Sequence, residues 1–119
     1  METTGQSGAP RDAALSQAID GLWQRFLPEI RERVTILESA VAAVADRNLA
    51  GEQRETARAA AHKLAGVLGT FGLARGTDLA RELEIAFARE SSPSPDVIVN
   101  LAALAAELRV LIESRKPSA

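Results

Sequence analysis

The stretch His62-Lys63-Leu64-Ala65-Gly66-Val67-Leu68-Gly69-Thr70-Phe71-Gly72 holds the only histidine of the 119-residue chain and lies inside a segment otherwise patterned as helix. On a helix, residues three, four and seven positions on share a face with the first. His62 therefore looks along its own face at Ala65, Gly66 and Gly69. Glycine in a helix interior costs about 1 kcal/mol relative to alanine, so two glycines beside an imidazole are poor helix design. They read better as clearance for something that must approach the ring. The opposite reading, that Gly66 and Gly69 mark a tight helix crossing, stays open at the level of spacing. Ala57, Ala61, Leu64, Leu68 and Phe71 recur at intervals of four and three, an apolar stripe that turns inward and leaves the histidine on the flank. A neutral imidazole nitrogen on such a flank can serve as a nucleophile.

Outward from this stretch every periodic segment is helical. Leu15, Ile19, Leu22 and Phe26 give a first short helix, and Pro28 predicts a boundary or kink after it. Leu27, Ile30, Val34, Leu37, Val41 and Val44 form a second helix, stopped by Asn48 to Gly51. The third helix runs over about 52–70, with Gly72 capping its end. A fourth spans about 74–89 with Leu79, Leu83 and Phe87 inward. Ser91 to Pro95 is a turn. A last helix over about 96–114 repeats Val97, Leu101, Leu104, Leu108 and Leu111. Nothing alternates with the two-residue period of a strand. Short connections between helices place sequence neighbours antiparallel, so the expected fold is all-α: an up-and-down four-helix bundle with an additional short N-terminal helix as a lid. Residues 1–10 are expected as a flexible tail, 11–114 as the bundle and 115–119 as a flexible C-terminus.

Composition narrows the function classes. With 46% hydrophobic and 25% charged residues the chain suits one domain, burying roughly two thirds of its unfolded surface. It has no cysteine, hence no disulfide or thiolate metal site. Fourteen basic against sixteen acidic residues give a net charge of −2, which does not suit nucleic-acid binding. The four aromatics, Trp23, Phe26, Phe71 and Phe87, fall mostly at apolar-periodic positions and make no base-stacking platform. No apolar run approaches the roughly 20 residues of a membrane span, and the N-terminus lacks signal-peptide order. A cytoplasmic location is expected.

Ala61-His62-Lys63-Leu64-Ala65-Gly66, then Gly69-Thr70-Phe71-Gly72-Leu73, then Leu79-Ala80-Arg81-Glu82-Leu83-Glu84 together resemble a histidine-containing phosphotransfer (HPt) domain of two-component phosphorelays. The resemblance extends from Leu15 to Ile112. It implies that His62 accepts a phosphoryl group and exchanges it with receiver-domain aspartates. It also implies that Glu84, 22 residues on, binds ring Nδ1 and leaves Nε2 as nucleophile. Lys63 and Arg81 are the cations expected to steady the phosphoryl group. Many members carry a lysine three residues after the histidine, where this chain has Ala65, and a serine is frequent where it has Val67.

The implied docking surface for the partner centres on Ala59, Ala65, Gly66 and Gly69. That partner is a response-regulator receiver domain, a hybrid histidine kinase, or both. No cofactor or metal of its own is expected, the Mg2+ being supplied by the receiver, and neither is kinase or phosphatase activity. A monomer is expected. A different class of reading is a non-phosphorylated helical adaptor that docks a receiver or kinase domain through the same face. A third makes the chain a kinase substrate domain cut from a larger hybrid kinase.

Overall fold

The computed structural model describes residues 4–89 and 92–117, with side-chain positions from residue 11 onward. Four helices follow one another: α1 (Thr4–Ala45), α2 (Gly51–Thr70), α3 (Ala74–Ala88) and α4 (Pro95–Glu113). α2 packs on α3, α3 on α4, and α1 on both α2 and α4. Each helix thus touches its two neighbours around a ring, the arrangement of an antiparallel four-helix bundle. No helix among the described residues is long and apolar enough to cross a membrane.

The core is the set of apolar seams that the sequence presents. Leu27, Ile30, Val34, Leu37, Val41 and Val44 of α1 are all buried, as are Ala57, Ala61, Leu64 and Leu68 of α2 and Leu79, Leu83 and Phe87 of α3. In α4 the seam is Leu101, Leu104, Ala105, Leu108 and Ile112. Val97 is exposed and Leu111 only partly covered, so the last helix is turned slightly from its expected face.

The N-terminal half departs from expectation. α1 is one helix of 42 residues without a break at Pro28, so there is no separate N-terminal helix acting as a lid. Residues 4–10, expected as tail, lie within α1, while residues 1–3 are outside the described residues. A proline in a helix interior costs about 3 kcal/mol. Here it is solvent-facing, and Trp23 and Leu27 before it and Ile30 and Val34 after it are all buried. Each such side chain contributes roughly 1.5–3 kcal/mol on burial, enough to offset the missing hydrogen bond. Continuity also fixes the rotation of the N-terminal half. The seam 27, 30, 34 extends backward to Trp23, which is 3% exposed, and leaves Leu15, Leu22 and Phe26 outward. At 1.5 Å per residue α1 is roughly 63 Å long, and it sets the 66 Å long axis of a molecule only 23 × 19 Å across.

Helix ends are closed by backbone geometry. At the end of α2, Gly72 N–H donates to Gly69 O (3.1 Å) and Leu73 N–H to Leu68 O (2.9 Å), a Schellman motif whose αL residue is Gly72 at φ +75°. α1 ends the same way, with Arg47 N–H donating to Val44 O (3.0 Å) and Asn48 N–H to Ala43 O (2.7 Å). Its αL residue is not glycine but Arg47, at φ +56°, a conformation that costs an L-residue roughly 1–2 kcal/mol. α4 starts at Pro95 after Ser94, whose hydroxyl accepts from Val97 N–H. Of the expected turn, Ser91 lies outside the described residues.

Arg115, expected in a free C-terminus, is instead held against the bundle. Its guanidinium stands 4.9 Å from the centroid of Trp23 and 5.8 Å from that of Phe71, and Nη1 reaches Asp20 Oδ1 at 3.3 Å. Trp23 and Phe71 are themselves edge-to-face at 5.2 Å. Ser118 and Ala119 lie outside the described residues.

Candidate functional site

His62 sits on the fourth turn of α2, flanked inward by Ala61 and Leu64, both wholly buried. Those two residues fix the rotation of the helix, and with it the direction of the imidazole. The side chain is 70% exposed. Nothing packs it among the leucines. Across the α2–α3 contact, Glu84 Oε2 lies 2.9 Å from His62 Nδ1. Glu84 is placed by Leu83 and Phe87 on either side of it, both in the core. An ionised carboxylate only accepts hydrogen bonds, so Nδ1 carries the hydrogen and donates it. In the neutral ring Nε2 is then the nitrogen that keeps its lone pair.

The carboxylate has a second partner in Arg58, which the sequence places one turn before His62 as a solvated surface cation and the structure brings to Glu84. Arg58 places Nη1 3.7 Å from Glu84 Oε2 and binds Glu55 through two bonds of 2.9 and 2.6 Å. The hydrogen bond to Glu55 first, and the charge of Glu84 last among the favourable contributions, hold the Arg58 guanidinium above its ordinary pKa. The Glu55 carboxyl is correspondingly held below its own. Arg58 thus braces the residue that orients the ring. The i, i+4 spacing to His62 was the available signal, but its contact with α3 needed the fold.

Lys63 and Arg81 are exposed, and neither forms an ion pair or hydrogen bond among the described residues. They are cations with no internal partner rather than built parts of the His62–Glu84 pair. Among the expected docking residues, Gly66 and Gly69 are exposed and Ala59 is half-buried, but Ala65 is 5% exposed. Ala65 is therefore corrected from surface to core. It faces α3, where its carbonyl accepts a hydrogen bond from Thr77 Oγ1 at 3.0 Å.

The glycines now separate by role. A Cβ built on Gly66 meets nothing within 4 Å, and one on Gly69 only Thr77 Oγ1 at 3.4 Å. Neither is required by helix packing. The close crossing is made by buried Gly76 on α3, whose Cβ would stand 3.0 Å from Leu68 Cδ1. The tight-crossing reading of Gly66 and Gly69 falls away, and an open, side-chain-free strip remains beside the imidazole.

Chemically the arrangement offers an exposed imidazole with one ring nitrogen held against a carboxylate and the other unbound among the described residues. No group of three or more His, Asp or Glu among the described residues is placed to hold a metal ion. Residues 21–114 match the family model described as Hpt domain. Protein RcaC of Microchaete diplosiphon is 39% identical over 62 residues, which make up 52% of this chain and 10% of that protein. The chain thus spans about a tenth of the length of that curated relative. No solved structure matches.

Proposed function

Because this chain belongs to the Hpt domain family, whose members are phosphocarrier modules working with receiver domains and histidine kinases in phosphorelays, we propose that His62 accepts a phosphoryl group from a receiver aspartyl phosphate and returns it to a receiver aspartate. The observation that carries this reading is the exposed imidazole whose Nδ1 is held by Glu84 at 2.9 Å.

In the forward step the Nε2 lone pair attacks phosphorus in line, the P–N bond forms, and the acyl phosphate P–O bond breaks with its electrons leaving on the aspartate. Attack by a neutral ring gives a phosphorylated imidazolium that still carries its Nδ1 hydrogen. The Glu84 carboxylate then faces a full positive charge, a charge-assisted hydrogen bond stronger than the one made by the neutral ring. The same bond favours the forward product, and in the return step the P–N bond breaks with its electrons going back to Nε2 of the cationic ring, which leaves as neutral imidazole while the receiver carboxylate takes the phosphoryl group. Lys63 and Arg81, unpaired and on the two helices that carry His62 and Glu84, are the cations available to the phosphoryl oxygens. Mg2+ belongs to the receiver partner, where it offsets charge on the transferring group. The chain supplies no kinase or phosphatase activity and works as a cytoplasmic monomer. The receiver docks over Gly66, Gly69 and Ala59.

Incubation with a phosphorylated receiver tests this directly. Wild type is expected to take up acid-labile label, and His62→Gln none. Label on His62→Gln would refute the assignment of the nucleophile. Receiver binding by wild type without any label would point instead to an adaptor using the same face.

A further inference from the structure

The end of the bundle formed by the C-termini of α1 and α3 and the N-termini of α2 and α4 contains a cleft of about 290 Å³. Its floor is core: Phe87 and Leu101 are almost wholly buried. Its walls carry Arg47, Arg54 and Arg89, each from a different segment of the chain. None of the three forms an ion pair or hydrogen bond through its side chain among the described residues. Arg31, Arg58, Arg75 and Arg109, by contrast, each bind a carboxylate at 2.6–2.8 Å.

Three cations line one apolar hollow without a carboxylate bound to any of them among the described residues, so an anion entering it meets donors that no internal group occupies. Arg47 adds an independent observation. It occupies the αL position of a Schellman motif, where glycine is the favoured residue and where α2 of this same chain uses Gly72. A strained backbone that delivers a charged side chain to a cleft points to use of that side chain.

We infer that this cleft binds a small organic anion, a phosphate or sulfonate on a flat apolar body, with the body against Leu49, Pro93 and Val97 above the Phe87 and Leu101 floor and the charged group among Arg47, Arg54 and Arg89. Guanidinium groups suit such anions because their planar N–H forks match the oxygen geometry. The volume lies at the small end of ligand pockets, so a body of one or two fused rings fits. On α2, Arg54 is eight residues before His62, roughly 12 Å along the helix, so the site is separate from the phosphoacceptor and the inference does not rest on its function.

Calorimetric titration of the whole chain with 1-naphthyl phosphate, 1-naphthol and inorganic phosphate tests the site. Naphthyl phosphate is expected to bind with 1:1 stoichiometry, and at least tenfold more tightly than either fragment. Arg54→Gln and Arg89→Gln should each weaken it tenfold or more, and His62→Gln should leave it unchanged. Arg47→Gly should weaken it likewise while its melting temperature without ligand equals or exceeds that of wild type, which excludes unfolding as the cause. Absence of saturable binding, equal affinity for naphthol, or wild-type affinity in all three arginine variants would overturn the proposal, the last outcome leaving only non-specific adsorption to apolar surface.

Discussion

Replacing Gly66 by alanine sets the stability of the helix against the use of its surface. Gly66 lies in the interior of α2, is exposed, and has open space where a Cβ would go. The methyl group therefore meets no clash, and the change should stabilise the fold by the helix-propensity difference, about 0.4–1 kcal/mol. For a chain of this size that is a rise in melting temperature of roughly 2–6 °C. The same methyl stands one turn from His62 on its own face, about 5–6 Å away between Cβ atoms, where a receiver must come close for in-line transfer. Adding a methyl to a close-packed contact costs roughly 1–3 kcal/mol. The transfer rate from a phosphorylated receiver should fall roughly 5- to 150-fold. Thermal denaturation and single-turnover transfer, measured on one preparation, give both numbers. A variant that is more stable and still transfers at the wild-type rate would refute the idea that Gly66 is clearance. A destabilised variant would refute the packing analysis beneath it.

Glu84→Ala leaves Nδ1 without its acceptor and removes the charge opposite the phosphorylated ring. A charge-assisted bond of about 1.5–3 kcal/mol is lost, and forward transfer should slow roughly 10- to 150-fold while Glu84→Gln, which still accepts, loses less; equal rates for Ala and wild type would exclude the orienting role. Gly76→Ala should destabilise the chain by about 1–3 kcal/mol in urea, the opposite sign to Gly66→Ala, because its Cβ would press on Leu68 Cδ1 at 3.0 Å. A neutral result there would show that the Leu68 side chain gives way to the added methyl at no net cost. The Glu113 carboxyl is held below its ordinary pKa first by the hydrogen bond from Arg31. Its contribution to stability is therefore complete above the unfolded glutamate value of about 4.5 and is lost as pH falls through the lower folded value. Unfolding free energy measured from pH 6 to about pH 3 should fall less steeply in Glu113→Gln than in wild type, and identical slopes would show that this exposed pair contributes nothing.

What could be read from the chain divides by the range of the physics involved. The core seams of α1 through α3 were legible because a 3.6-residue period is a local property that burial merely completes. The pairing of His62 with Glu84 was legible through resemblance, and the coordinates supply its distance. Pro28 misled for the same reason that the seams succeeded. Its cost is local, whereas the energy that overrides it comes from Trp23, Leu27, Ile30 and Val34 meeting other helices. Ala65 was misplaced because a three-residue step lies between faces: it rotates 60° from His62 on a 3.6-residue helix, and only the approach of α3 decides which side of that edge is covered. Arg115 and Arg58 were invisible in their roles because both contacts join elements far apart in sequence.

The site is built from residues whose removal should leave the fold intact. His62 is exposed, Gly66 weakens its helix, and Lys63 and Arg81 have no internal partner, whereas the residues that rotate the imidazole outward, Ala61 and Leu64, are wholly buried. On the proposed function, stability and transfer fall to opposite faces of one helix, with Glu84 and Arg58 on the flank between them. Such a division lets the outward face be shaped by what docks there without disturbing the core. It also means that a change on that face which makes the helix better as a helix should make the domain worse as a carrier, and Gly66 is the position where the two demands conflict most directly.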